Sequence, residues 1–136
     1  MEVPHILLVD DDADDRTIIL DALEQLDSGT VVRSADNGEM ALHLLDEYAA
    51  SGMFPSLIVL DLNMPKMNGT DTLRNLKSDV RFKDIDVVIY STSINPIEKE
   101  ACMQLGAHSY LTKPLSYKES LDIAKWFLGL CKKIPV

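Results

Sequence analysis

A chain of 136 residues has the length of one ordinary domain and can bury roughly two thirds of its extended surface without disulfide or metal staples. Its formal charge of −9, from 13 basic and 22 acidic side chains, excludes general binding to a phosphate backbone, which relies on basic clusters. The start, Met1-Glu2-Val3-Pro4-His5, is not a basic, apolar leader, and no apolar run reaches the about 18 residues of a membrane helix, so the expectation is a cytoplasmic protein with no membrane attachment.

His5 to Val9, with the apolar run Ile6-Leu7-Leu8-Val9, is too short for a helix and predicts a buried strand that stops at Asp10-Asp11-Asp12. A helix is expected from about Ala13 to Asp27, with Ile18, Ile19, Ala22, Leu23 and Leu26 on its apolar side and Gly29 ending it. Val31 to Ala35 is a short strand. Asn37 then caps a helix from Gly38 to Ala50 whose Met40, Ala41, Leu44, Leu45 and Tyr48 face inward. Ser51-Gly52 breaks it, and after Pro55 the run Leu57-Ile58-Val59-Leu60 is a second buried strand, ending at Asp61. Asn68-Gly69 marks a turn before a helix from Thr70 to Ser78. Val87 to Tyr90 is the next strand, Asn95-Pro96 opens a helix through Leu105, and Gly106 closes it. Ser109-Tyr110-Leu111 is the last strand, and a helix from Tyr117 to Leu130 precedes the basic tail at Lys132-Lys133. Five strands alternating with five helices through short connections predict parallel crossovers in a doubly wound α/β sheet, as a single domain over 1–136.

In a parallel sheet the carboxyl ends of the strands share one edge, where open α/β folds keep their sites. That edge collects Asp10 and Asp11, Asp61, Ser91 and Thr92, and Lys113. Five of the six residues from Asp10 to Asp15 are acidic, and such crowding is costly unless a cation or the dipole of the first helix compensates. Three carboxylates, a hydroxyl and an ammonium make a poor core but suit a hard divalent cation such as Mg²⁺, which takes oxygen ligands and keeps waters that a phosphoryl group can replace. Neither glycine-rich nucleotide loop is present. Asp14 and Asp15 read as surface acids favoured by the helix dipole. Cys102 and Cys131 read as reduced thiols, and His5, His43 and His108 as bystanders with no partner at metal-ligand spacing.

The acidic pair Asp10-Asp11, the segment Asp61-x-x-Met64-Pro65-x-x-x-Gly69, Ser91, and Lys113-Pro114 after Gly106-Ala107 together resemble the receiver domain of two-component response regulators. The likeness runs from Ile6 to about Leu130 and is greatest to stand-alone regulators similar to the chemotaxis regulator and to those paired with bacterial phytochromes. It implies a flavodoxin-like fold with strand order 2-1-3-4-5. By this resemblance Asp61 accepts phosphoryl from a sensor histidine kinase or phosphotransfer protein, and Mg²⁺ is held by Asp10, Asp11, Asp61 and the backbone carbonyl of Asn63. Lys113 then pairs with Asp61 and later with a phosphoryl oxygen, beside Pro114 in a bond that is commonly cis in the family. Ser91 is the switch hydroxyl, Tyr110 the aromatic that turns inward when Ser91 moves, and Thr92 stands where many relatives carry a small residue, narrowing access to the acyl phosphate.

On the last helix Leu121, Ala124 and Leu128 share one side, while Ile123, Trp126 and Leu130 fall largely on the other and offer a contact surface. The face formed by the fourth helix, fifth strand and last helix is where related receivers dimerise or meet targets, so a homodimer and an unspecified downstream protein are the expected partners. Two other classes bear comparison. A Mg²⁺-dependent phosphatase of the haloacid dehalogenase type needs a second aspartate two residues after the nucleophile, where this chain has Asn63. A non-phosphorylated interaction module would not need the acids, Ser91 and Lys113, all of which are present.

Overall fold

The structure, a computed structural model, describes residues 5–64, 67–92 and 94–131. Pro65 of the family-like segment and the basic tail from Lys132 lie outside them. The elements alternate as expected: β1 (Ile6–Val9), α1 (Ala13–Leu26), β2 (Val32–Ala35), α2 (Gly38–Ala50), β3 (Leu57–Leu60), α3 (Gly69–Ser78), β4 (Asp86–Ser91), α4 (Pro96–Leu105), β5 (Ser109–Thr112) and α5 (Tyr117–Cys131). All strand pairs are parallel, in the order β2-β1-β3-β4-β5. No helix among the described residues is long and apolar enough to cross a membrane.

The period of two along each strand divides the core into two layers. Leu7, Val9, Ile58, Leu60, Val87 and Ile89 point to one face, where they meet Ala41, Leu45 and Tyr48 of α2, Leu73 and Leu76 of α3 and Cys102 of α4. Ile6, Leu8, Leu57, Val59, Val88 and Tyr90 point to the other, against Ile19, Ala22 and Leu23 of α1 and Ala124, Phe127 and Leu128 of α5. Covering both faces is why β1 and β3 read as continuous apolar runs rather than alternating ones.

The helix starts follow from their caps. Asp12 accepts from the backbone N–H groups of Asp14 and Asp15, Asn37 from Met40, Asn68 from Asp71, and Asn95 from Ile97 and Glu98. Gly106 closes α4 at φ 109°, a left-handed conformation that glycine adopts without penalty.

Some helix faces are rotated from expectation. Ile18, Leu26 and Met40 are exposed, because a helix lying on a sheet buries only the narrow stripe that the strands reach. Phe127, fully buried and edge-on to Tyr90 at 5.7 Å between ring centroids, is the large anchor of α5. Cys102 and Cys131 are free thiols.

Candidate functional site

Strand register determines which side chains meet. Val9 pairs with Leu60, so the next residues, Asp10 and Asp61, emerge side by side, and the Asp61 N–H donates to the Val9 carbonyl at 2.9 Å. On the far side Ser91 pairs with Thr112, and the N–H of Lys113 donates to the Ser91 carbonyl at 2.6 Å. Four strands therefore deliver Asp10, Asp61, Ser91 and Lys113, all buried, to one edge.

Carboxylate oxygens of Asp10, Asp11 and Asp61 all lie within 4.8 Å of one another, near enough to share one metal ion. Asp10 and Asp61 are buried and Asp11 is exposed, so the cluster opens to solvent on the Asp11 side. The backbone positions the two buried acids: Asp12 N–H donates to Asp10 Oδ1 at 3.0 Å, and Asn63 N–H donates to Asp61 Oδ1 at 3.3 Å. Burial pushes the Asp61 carboxyl up to about 6, with Lys113 pulling it down and Asp10 adding to the rise. An acid held this way favours any cation that takes over the charge. Oxygen-only donors match a hard ion such as Mg²⁺, whereas a soft metal would call for thiolate or imidazole.

The Lys113 ammonium is anchored by three carboxylates: Asp10 Oδ2 at 2.7 Å, Asp15 Oδ2 at 2.8 Å and Asp61 Oδ2 at 3.6 Å. Burial alone would depress its pKa, but the bonds to Asp10 and Asp15 outweigh that and hold it above the ordinary lysine value. No described peptide bond is cis, so the Lys113–Pro114 bond is trans rather than cis, and the ion pairs are what fix the lysine.

Residues 6–125 match the family described as the response regulator receiver domain. The chain belongs to the response regulator receiver family. This receiver is 37% identical over 131 residues to the two-component response regulator ORR5 of Oryza sativa subsp. japonica, across 96% of this chain and 88% of that one. It is 32% identical over 121 residues to the chemotaxis protein CheY1 of Helicobacter pylori, across 87% of this chain and 94% of that one. Among solved structures, the phosphorylated cyanobacterial phytochrome response regulator RcpA superposes with a TM-score of 0.85 at 32% identity, covering 94% of this chain and 93% of that one. The Mn²⁺-bound form of response regulator Rcp1 superposes with a TM-score of 0.78 at 27% identity, covering 100% of this chain and 99% of that one. The cluster of Asp10, Asp11 and Asp61 is typical of the phosphate-accepting site of a receiver.

Around this centre Ser91 is buried and Thr92 exposed. The Tyr110 ring lies inside the receiver at 6% exposure, and its hydroxyl shares hydrogen bonds with the Ser91 side chain and the backbone of Asn95. Burial raises the Tyr110 pKa, and those two bonds pull it back.

Three residues escaped the reading of the sequence. Asp15, expected to be a surface acid, is a direct partner of Lys113. Arg16 donates through Nη1 to the Asp10 carbonyl at 2.6 Å and sits 3.3 Å from Asp36 Oδ1, bracing the acidic loop from outside. Tyr90 places its ring 6.0 Å from the Lys113 ammonium. The available signal was spacing: Asp15 follows Asp11 by four residues, one turn along the helix that starts at the site.

On α5, Trp126 is exposed and leans on His108 and Phe127, each 5.9 Å between ring centroids, while Ile123 and Leu130 are half-buried against the α1 side of the core. The exposed apolar surface of this side is thus mainly the Trp126 indole. His5 and His43 lie away from the acids, the first accepting from Val31 N–H at 3.0 Å and the second 3.3 Å from Glu47 Oε1.

Proposed function

We propose that this receiver takes a phosphoryl group onto Asp61 from the phosphohistidine of a sensor histidine kinase or phosphotransfer protein, as a cytoplasmic relay to a downstream protein. The observation that carries this is the meeting of three strand-end carboxylates within 4.8 Å, with the Lys113 ammonium 3.6 Å from Asp61 Oδ2. In the transfer an Asp61 oxygen forms a bond to phosphorus as the bond from phosphorus to the imidazole nitrogen breaks, and the electron pair stays on the imidazole. The carboxylates of Asp10, Asp11 and Asp61 and the carbonyl of Asn63 would hold Mg²⁺, which when bound neutralises charge on the phosphoryl oxygens. That Rcp1 is described in a Mn²⁺-bound form and RcpA as phosphorylated supports both parts of the reading.

The protein's own groups do the rest. Lys113 follows the new negative charge as a mobile point charge, bonding a phosphoryl oxygen. The Ser91 hydroxyl turns toward the phosphoryl group, and because it also bonds Tyr110, its movement reaches Asn95, the cap of α4. Thr92 beside it narrows the approach of hydrolytic water. With Mg²⁺ and acetyl phosphate, wild type gains a base-labile adduct that mass spectrometry maps to Asp61, and Asp61→Asn gains none. An adduct mapping elsewhere would overturn the assignment.

The same reading makes the α4, β5, α5 face the output surface, with the Trp126 indole, flanked by Ile123 and Leu130, as the anchor of a homodimer. Sedimentation of wild type and Trp126→Ala over a concentration series, with and without beryllofluoride, checks it. Self-association is expected in wild type, shifted by beryllofluoride as far as the dimer prefers one receiver state, and weakened in Trp126→Ala. A wild type that stays monomeric throughout counts against the dimer.

A further inference from the structure

We propose that Asp15 is a positioning residue that holds the Lys113 ammonium away from Asp61, opposing phosphorylation until the lysine is released; this rests on the reading of Asp61 as the phosphoryl acceptor. Lys113 has three N–H donors and three carboxylates around it, but the distances are unequal. The ammonium sits at hydrogen-bond length from Asp10 and Asp15, at 2.7 and 2.8 Å, and 3.6 Å from Asp61, beyond that length.

Asp15 differs in kind from the other two. Asp10 and Asp61 belong to the set whose oxygens converge on a possible metal, and Asp15 does not. Among the described residues its side chain meets the site through Lys113, so it draws the ammonium toward α1 and away from the phosphoryl position. Its backbone is held in place, since Asp15 N–H donates to the Asp12 cap at 3.0 Å in the first turn of α1. The space beside the pair is small: Asp15, Ile18, Tyr90, Lys113, Pro114 and Ser120 line a cleft of about 20 Å³, room for about one water. Lys113 is buried and Asp15 is partly exposed, so solvent reaches this contact from the Asp15 side.

The consequence is a competition. A bond made in the unmodified state and given up when the lysine turns to a phosphoryl oxygen favours the unmodified state by the strength of that bond. Asp15→Asn removes the charge and keeps the shape, so the modified state gains. Asp15 is 31% exposed, which places the effect near the upper end of that for surface pairs.

The test is equilibrium binding of beryllofluoride in saturating Mg²⁺, read from the bound fluorine resonances, on wild type, Asp15→Asn, Asp15→Glu and Asp14→Asn. Asp15→Asn is expected to bind about fivefold more tightly than wild type, equal to about 1 kcal/mol. Asp15→Glu, which keeps the charge on a side chain one methylene longer, should stay within about twofold of wild type. Asp14 is an exposed acid in the same turn and is not among the ion-pair partners of Lys113. Its replacement changes the net charge equally, so a general relief of repulsion would tighten both Asn variants alike. Unchanged or weaker binding in Asp15→Asn, or equal tightening in Asp14→Asn, overturns the positioning role while leaving the acceptor assignment standing. Absence of a wild-type adduct overturns both.

Discussion

In metal-free buffer at pH 7, Asp61→Asn is expected to unfold at a higher temperature than wild type. Burial raises the Asp61 carboxyl from 3.8 to about 6, so the ionised side chain is less favourable in the folded chain than in the unfolded one. Below about pH 4 the acid is protonated in both states and its full contribution is present. Between about 4 and 6 the folded chain keeps a proton that the unfolded chain has lost, and stability falls as pH rises through that window. At pH 7 the loss is complete, on the order of 3 kcal/mol. An amide escapes it. Lys113 loses its longest contact in the variant but keeps Asp10 and Asp15, so the net gain is about 2 kcal/mol, or about 5–10 °C in melting temperature for a domain of this size.

Magnesium should reverse the ranking. At a concentration about 100 times its dissociation constant it adds about 2.7 kcal/mol to a protein that binds it only when folded. Wild type gains this and Asp61→Asn gains far less, as does Asp11→Ala. Protons compete for the same oxygens, so the apparent metal affinity of wild type should fall as pH drops below about 6. Thermal melts from pH 4 to 8 with and without Mg²⁺ check all of this. An Asp61→Asn protein that melts below wild type without metal, or gains as much from Mg²⁺, would show that the cluster carries no such charge penalty.

Gly69→Ala is expected to cost about 3 kcal/mol and to slow phosphorylation by acetyl phosphate about a hundredfold. A Cβ at Gly69 would stand 2.2 Å from the Asp61 carbonyl oxygen and 2.6 Å from Leu62 Cα. Both are backbone atoms, so no rotamer change relieves the clash. The start of α3 must instead move off the end of β3, and the hydrogen bond from Gly69 N–H to the Leu62 carbonyl, 2.9 Å long, goes with it. Because Asp61 is one of the residues pushed, the same change that lowers stability displaces the proposed acceptor. Gly129 is the control: nothing lies within 4 Å of a Cβ there, and on an exposed turn of α5 Ala should add a few tenths to about 1 kcal/mol. Urea unfolding and the rate of adduct formation, measured on both variants, decide it. A Gly69→Ala protein as stable and as fast as wild type would mean that the two loops do not press on each other.

Much of this was legible because the signals were local. A four-residue apolar run ending in Asp states both a buried strand and a strand-end carboxylate, so β1, β3, Asp10, Asp11 and Asp61 could be placed from adjacent residues. Asp15 could not, because what makes it a site residue is the packing of α1 beside α5, which brings the loop after β5 over the first turn of α1. The helix dipole alone accounts for an acid at that position, and the contact with Lys113 is what makes it part of the site. Phe127 was missed for a similar reason: the helical stripe through Leu121, Ala124 and Leu128 is correct in period, but the contact that makes Phe127 an anchor is with Tyr90 on β4, a residue distant in sequence. Ile18, Leu26 and Met40 show the reverse error, apolar residues given to the core by period alone.

Helix α4 buries only one side chain, Cys102, with Leu105 half-covered, while Ile97 is 81% exposed. Sliding or tilting it by a fraction of a turn would therefore uncover very little apolar surface, in contrast to α1 or α5, which would each open a row of buried side chains. Such a helix belongs at the low end of the local stability range and needs only a weak push to change its setting. The push that the proposed relay would supply is small: one hydroxyl, one phenol and one cap residue. On the proposed reading a lightly moored helix is matched to that trigger, so that the sheet would stay rigid under the phosphoryl chemistry while the surface offered to a partner would differ between two states.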